Sequence, residues 1–401
     1  MLIKDLNTNV KPISIAYPLK ETPHLSIETN FTCNLNCRAC YNLNKDYVKS
    51  LDQIKAEILL ALEKRNLETI TVIGGEPTLH PELPEVVRFI RKKGVHCQIL
   101  TNGIVYMDDD EDVLLKKCIA AGVDRIVIHI DEGQKHYHKD IDRAIRKLFD
   151  KFEKHKISFG LSATIYDETK YDVPGMITKY TEYRYYDGVI GYLVRDLEDT
   201  LIRQEIRPEH PKMEDFYESV TRELKIEPCA YLPSSTKEDY ISWMIYLFFI
   251  NNKTGVAHSF SPSLIKFGRK ITRLRTGKNP VGGYVSKKTL RLALPVMFML
   301  ELLFNIRSYK SIRKLVRHSA GLKNIRQLFI TMQNPPEYDH ETGKYHFCNH
   351  CPDATVRHGK ITPLCVADFI DPIGAESEMT KDNPERRKEV TKVIREHLNY
   401  E

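Results

Sequence analysis

The chain has a single tryptophan, and no apolar run approaches the ~20 residues that a bilayer-spanning helix needs. The two most apolar stretches are "ISWMIYLFFI" (241–250) and "LALPVMFMLELLF" (292–304). The first is short, and the second is interrupted by Pro295 and Glu301. The N-terminal "MLIKDLNTNVKPISIAYPLK" lacks the continuous apolar core and small-residue cleavage site of a secretory signal. Evenly spread cysteines are also missing: the nine that are present cluster, which in a reducing compartment reads as metal binding rather than disulfides. These absences lead to the expectation of a cytoplasmic protein, at most peripheral at the inner face of the membrane. Acid is scarce in one place. Between Lys266 and Arg326, sixteen Lys or Arg accompany one acid, Glu301, a local +15 in a chain of net charge +6.

What is present, from residue 24 to about 200, is a regular alternation of strand-like and helix-like segments. "HLSIETN", "ETITVIGG", "VHCQILTNG", "DRIVIHID", "ISFGLSATIY" and "GVIGYLVRD" read as strands. The segments between them read as amphipathic helices. "SLDQIKAEILLALEKRN" is the clearest, with Ser50 and Gln53 as a capping box. Six β/α units imply a parallel sheet. Pattern alone allows either a doubly wound sheet or an incomplete TIM-like barrel.

The stretch "FTCNLNCRACYN" (31–42) places Cys33, Cys37 and Cys40 as C-x3-C-x2-C, directly after the first strand. Three thiolates leave one position of a four-iron cubane open, and an open metal position marks a reactive site. The blander reading is a zinc knuckle completed from elsewhere. "GGEPT" (74–78) follows the second strand, "TNG" (101–103) ends the third and Asp131 ends the fourth. In a parallel β/α fold these strand ends converge on one face.

At this point the sequence resembles the radical S-adenosylmethionine (radical SAM) superfamily, over residues 24 to about 200. The resemblance implies a partial (β/α)6 TIM-like barrel. It implies a [4Fe–4S] cluster on Cys33, Cys37 and Cys40, with S-adenosylmethionine chelating the open iron. Gly74, Gly75, Glu76 and Pro77 match the segment that binds the methionine amino group. Thr101, Asn102, Asp131 and Ser162 are expected to contact its carboxylate or ribose. Where the family often has an aromatic residue before the third cysteine, this chain has Ala39, with Tyr41 just beyond as the adenine contact. The implied chemistry is reductive cleavage of S-adenosylmethionine to a 5′-deoxyadenosyl radical, which abstracts hydrogen. A reductase with flavodoxin or ferredoxin would donate the electron.

A second cluster, "FCNHCPDATVRHGKITPLC", sets Cys348, Cys351 and Cys365 around a hairpin turning at His358–Gly359. It resembles the auxiliary iron–sulfur motif of radical SAM C-terminal extensions. A second [4Fe–4S] cluster is expected, with zinc as the alternative. Cys229, His346, His350 and His358 are candidate fourth ligands. The basic, apolar segment 266–326 suggests an apolar substrate, a lipid or isoprenoid, and contact with an anionic membrane surface. RNA is the rival partner, although no RNA-binding module is recognisable. Alternative functions are peptide or tRNA modification, including methyl transfer, or a cluster-binding regulator without turnover. The expected organisation is an N-terminal extension (1–23), the radical SAM core (24–200), an α-rich substrate or membrane-facing domain (201–345), a cysteine-rich metal subdomain (346–372) and a C-terminal helix (373–401).

Overall fold

Six apolar segments, separated by helices, pair side by side in the order in which they occur along the chain. In this computed structural model the described residues are 1–9, 11–37, 40–42, 46–130, 140–166, 172–194, 210–280, 287–317 and 322–370, with positions 388–389, 391–393 and 396 near the C-terminus. The first strands are β1 (Ile13–Ser14), β2 (His24–Glu28), β3 (Thr69–Ile73), β4 (His96–Thr101), β5 (Arg125–Ile130), β6 (Ser158–Ile165) and β7 (Tyr186–Leu193). They are followed by β8 (Ala230–Pro233), β9 (Ile241–Asn251), β10 (Ala257–Ser259), β11 (Ile325–Gln333), β12 (Glu337–Asp339), β13 (Lys344–His346), β14 (Ala354–Arg357) and β15 (Lys360–Pro363).

The helices between the first strands are α1 (Leu51–Lys64), α2 (Leu83–Lys92), α3 (Ile104–Asp108), α4 (Val113–Ala121), α5 (Ile141–His155) and α6 (Val173–Lys179). Later come α7 (Met213–Leu224), α8 (Pro262–Thr276), α9 (Lys287–Phe304), α10 (Tyr309–Val316) and α11 (Ala367–Ile370). Helix α1 starts as its sequence predicts: Ser50 and Gln53 cap each other reciprocally.

Strands β2 to β7 are all parallel and lie in sequential order. A doubly wound sheet reverses its order at a switch point; this one does not. Right-handed crossovers that step always in one direction put their helices on one face. The result is a partial (β/α)6 barrel, open because β2 is an edge. Helix-facing positions are apolar and fully buried, among them Leu25, Ile27, Ile70, Val72, Ile99 and Ile126.

Past β7 the sheet continues through β11, which is parallel to β7, then antiparallel β9 and β8. The segment 201–345, expected to be α-rich, carries α7 to α10 and also supplies these strands. In the fold, burial alternates along 241–251 and 325–333 with a β period.

The inner face of the barrel is polar and connected. His24 on β2 reaches Thr71 on β3 (2.7 Å), and Thr71 accepts from Gln98 on β4 (3.1 Å). Gln98 accepts from Arg125 on β5 (2.5 Å), which makes a bidentate pair with Asp187 on β7. Arg125 must cross β6 to reach Asp187, and β6 has Gly160 there. A Cβ on Gly160 would stand 2.3 Å from the Arg125 guanidinium. Asp353, just before β14, continues the belt by meeting His24 (3.3 Å) and accepting from Gln333 on β11 (2.9 Å).

The β14–β15 hairpin, turning at His358–Gly359, is clamped to this inner face by a buried ion triad. The Arg357 guanidinium pairs with Glu28 at the end of β2 (2.6 and 2.7 Å) and with Asp368 of α11 (2.7 Å). All three side chains are at most 1 % exposed. Thr355 adds a hydroxyl to Glu28 at 3.1 Å, and the Phe31 ring lies 4.7 Å from the guanidinium. A bidentate guanidinium holds two buried carboxylates only with such geometry.

Arg357→Ala leaves two carboxylates facing each other without their cation. It is expected to cost about 3–5 kcal/mol in urea unfolding. A loss below about 1 kcal/mol would show that the triad does not fasten the hairpin.

Candidate active site

The first cysteine loop leaves β2 through Thr29, Asn30, Phe31 and Thr32, and the Gly74–Pro77 turn leaves β3 beside it. The two are stitched together by backbone. The Gly75 N–H donates to the Asn30 carbonyl (2.7 Å) and the Glu76 N–H to the Thr32 carbonyl (2.9 Å). The Asn30 amide donates to the carbonyls of Thr32 (2.8 Å) and Glu76 (3.0 Å). A Cβ on Gly74 would lie 2.6 Å from the Asn30 oxygen, and one on Gly75 2.3 Å from the Thr32 oxygen. Glycine at both positions is therefore set by backbone against backbone, where nothing can give way.

Glu76 is the hub of the next connection. Its carboxylate accepts from the Thr78 N–H (3.0 Å), the Thr78 hydroxyl (2.5 Å), the Thr101 hydroxyl (2.6 Å) and the Asn102 N–H (2.7 Å). Burial raises this carboxyl, and the four donors offset part of the rise. Two of the donors are backbone N–H groups that can only donate, so the arrangement suits the ionised form. The carboxylate thus ties the end of β3 to the end of β4. Pro77 is buried in the short turn it opens. Asn102 then reaches back to the cysteine loop, donating to Asn34 (2.7 Å) with its amide 4.0 Å from the Cys33 sulfur.

All three cysteines are partly exposed, and the Cys33 sulfur lies against this bracket. The Leu35 N–H donates to the Cys33 sulfur at 3.4 Å. The Tyr41 hydroxyl donates to the Gly74 carbonyl at 3.0 Å, so this ring is pinned to the glycine turn. Burial, with Glu28, Cys40 and Asp368 nearby, pushes its phenol well up. Ser162 on β6 is fully buried, with its hydroxyl 3.0 Å from His129 Nδ1. Tyr192 on β7 hydrogen-bonds the same Ser162. Asp131 lies outside the described residues, as do Ala39 and the stretch 132–138. Among the described residues, no three His, Cys, Asp or Glu side chains stand drawn together at metal-ligating distance.

The donor chemistry fits an iron–sulfur cluster: three thiols on one loop, with the Leu35 N–H directed at the Cys33 sulfur. The fit to S-adenosylmethionine rests on the glycine turn, where Gly74 and Gly75 are partly exposed beside the loop.

In the second trio, the Trp243 indole donates to the Cys348 sulfur at 3.2 Å, and Cys351 neighbours both Cys348 and Cys365. These contacts and burial raise the Cys351 thiol well above its ordinary range. Two candidate fourth ligands are engaged elsewhere. Cys229 donates to the Ile245 carbonyl (3.5 Å), its thiol pushed up by burial to about 12. His346 stacks on Tyr240 and contacts Ser234, Thr236 and Asp339.

Sequence reasoning missed Asn30, Glu28, Arg357 and the belt from His24 to Asp187. A signal existed in "HLSIETN", where polar His24, Ser26 and Glu28 alternate inside a buried strand and so demand partners.

Glu76→Gln puts an amide N–H₂ among four donors. It is expected to lower stability by about 1–3 kcal/mol in urea unfolding and to reduce iron retained after anaerobic reconstitution. Unchanged stability would show that the carboxylate does not hold the two strand ends together.

Residues 27–173 match the Radical SAM superfamily. Among curated proteins the chain is 36 % identical over 113 residues to a 7,8-dihydro-6-hydroxymethylpterin dimethyltransferase of Methanocaldococcus jannaschii, covering 26 % of this chain and 22 % of that protein. It is 29 % identical over 153 residues to Fe-coproporphyrin III synthase of Methanosarcina barkeri, covering 36 % and 37 %. It is 30 % identical over 128 residues to GTP 3′,8-cyclase of Chlorobaculum tepidum, covering 31 % and 37 %. The chain thus spans well under half the length of each of these relatives. Among solved structures it resembles Streptococcus suis SuiB bound to S-adenosylmethionine, with 14 % identity, TM-score 0.34, and coverage of 53 % of this chain and 49 % of that one. The residues that form β2 to β6, together with the cysteine loop, the glycine turn and the Thr101–Gly103 turn, are a domain of the radical SAM superfamily.

Proposed function

We propose that this protein is a radical SAM enzyme that abstracts hydrogen from an apolar substrate, a lipid or isoprenoid. The observation that carries the reading is the three-way bracket of cysteine loop, glycine turn and Thr101–Gly103 turn, locked by Asn30 and Glu76. Cys33, Cys37 and Cys40 would hold a [4Fe–4S] cluster. When bound, cluster and S-adenosylmethionine supply reductive C–S cleavage and a carbon radical, with the electron drawn from a flavodoxin or ferredoxin system.

The chain's own residues orient and exclude. The Gly74 carbonyl already accepts from Tyr41 and the Glu76 carbonyl from Asn30, so the Gly75 carbonyl would accept from the methionine ammonium. Glu76 itself acts as a positioning residue, because its carboxylate is filled by Thr78, Thr101 and Asn102. Thr101 keeps the third strand end in line, and Asn102 holds the cysteine loop. Ser162, buried against His129, would position that imidazole on the inner face. Cys348, Cys351 and Cys365 would hold a second [4Fe–4S] cluster, with zinc as the alternative. The apolar substrate is inferred from the basic, apolar composition of 266–326; the apolar residues of 241–250 pack in the core. Methyl transfer is the second reading, favoured by the likeness to a dimethyltransferase.

Anaerobic, reduced protein supplied with S-adenosylmethionine should release 5′-deoxyadenosine, and Cys33→Ala should abolish the release. No product from fully reconstituted protein would overturn the proposal. Metal analysis should find about eight irons per chain, falling to about four in a Cys348→Ala/Cys351→Ala variant. About four irons with one zinc in the unmodified chain would assign the second site to zinc.

A further inference from the structure

The segment from Pro262 to Val316 carries a surface that the chemistry above does not use. On α8, Phe267, Ile271 and Leu274 are exposed at spacings of four and three, which places them on one stripe. On α9, Val296, Met299 and Leu303 repeat the arrangement at spacings of three and four. The stripes meet: the rings of Phe267 and Phe304 lie 5.5 Å apart. Ile306 and Tyr309 extend the surface toward α10. Leu274, Leu303 and Ile306 are each more than 70 % exposed, far beyond what isolated surface leucines need explained.

The rim of this apolar face is basic. Lys266, Lys270, Arg273 and Arg275 are exposed on α8, and Arg307, Lys310, Arg313, Lys314 and Arg317 at and beyond α10. The segment's one acid, Glu301, does not offset them at the surface. It is 1 % exposed, and its carboxylate accepts from the Ser261 N–H and hydroxyl (3.0 and 2.8 Å) and from Ser308 (3.0 Å). Glu301 therefore fastens the start of α8 to α9 from inside.

The patch is also separate from the candidate active site. The end of α8 is tied to Asn66, through the Gly277 carbonyl (2.7 Å), and to Glu21, through Arg273 (3.3 Å). Those residues precede β3 and β2, at the strand ends opposite the cysteine loop.

We propose that the α8–α9 face docks on an anionic bilayer surface. The apolar stripes enter the interface while the Lys and Arg rim meets lipid phosphates. An apolar face with a cationic rim and no surface acid is complementary to that partner. A phosphate-binding groove for RNA needs the cations but gains nothing from two exposed stripes of Phe, Ile, Leu and Met.

The test is co-sedimentation of the full chain with phosphatidylcholine vesicles, with and without phosphatidylglycerol, and it requires no turnover. Binding is expected to the anionic vesicles and not the neutral ones. A Leu274→Glu/Leu303→Glu variant should bind at least about tenfold more weakly, and so should Lys266→Glu/Lys270→Glu. All four positions are exposed, and unchanged circular dichroism and melting confirm the fold. Absence of anionic-vesicle binding overturns the proposal, as does binding that the leucine variant leaves intact. A leucine-dependent dimer in light scattering without vesicle binding would reassign the face to a second copy. Transfer RNA binding without vesicle binding would reassign it to nucleic acid. Release of 5′-deoxyadenosine in membrane-free buffer reads the proposed chemistry independently.

Discussion

The Arg357–Glu28–Asp368 triad is the constraint on which the candidate site depends. Glu28 is the last residue of β2, five positions before Cys33, and it sits on an edge strand that has no neighbour on its outer side. An ionised carboxylate there, fully buried, would be costly without a cation. Arg357 supplies the cation from more than 300 residues away in sequence, and Asp368 and Phe31 fill the rest of its surroundings. The C-terminal hairpin therefore does two things at once. It covers the inner face beside the open edge, and it stiffens the strand end from which the first cysteine loop departs. It also carries the second cysteine trio, so both sulfur-rich segments are anchored to the same ion group.

The same economy governs the strand ends. Asn30 and Glu76 each saturate their hydrogen-bonding capacity with groups from neighbouring turns, which removes slack between β2, β3 and β4. Gly74 and Gly75 permit this because a Cβ would strike a carbonyl that belongs to the next strand end. In such a bracket the residues most recognisable by motif act largely on one another. The three cysteines remain partly exposed. Below it, the belt from His24 to Asp187 fills the barrel with paired polar groups, and Gly160 is the gap that lets Arg125 reach its partner.

The far end of the sheet follows different rules. Strands β8 to β11 extend a parallel sheet with antiparallel pairs, and α8 to α10 pack on them through a small separate core around Phe249, Phe260, Leu264 and Phe298. One buried acid holds this subassembly together, leaving its exterior both greasy and cationic. No helix among the described residues is long and apolar enough to cross a membrane.

Local patterns in the chain determined much of this. Periodicity and caps placed α1, α2, α4 and α5, since helix and strand periods are properties of neighbouring residues. The three cysteines, Gly74–Pro77 and Thr101–Gly103 were legible because a short spacing after a strand already implies a common face. The hairpin at His358–Gly359 was legible from its turn residues. The strands within 241–251 and 325–333 were not, because an apolar run does not say which period it will adopt until it has neighbours. Nor were the roles of Glu28, Glu76 and Arg357, which exist only once distant strands meet. A buried charge is affordable only beside its partner, and only the tertiary structure decides who that partner is.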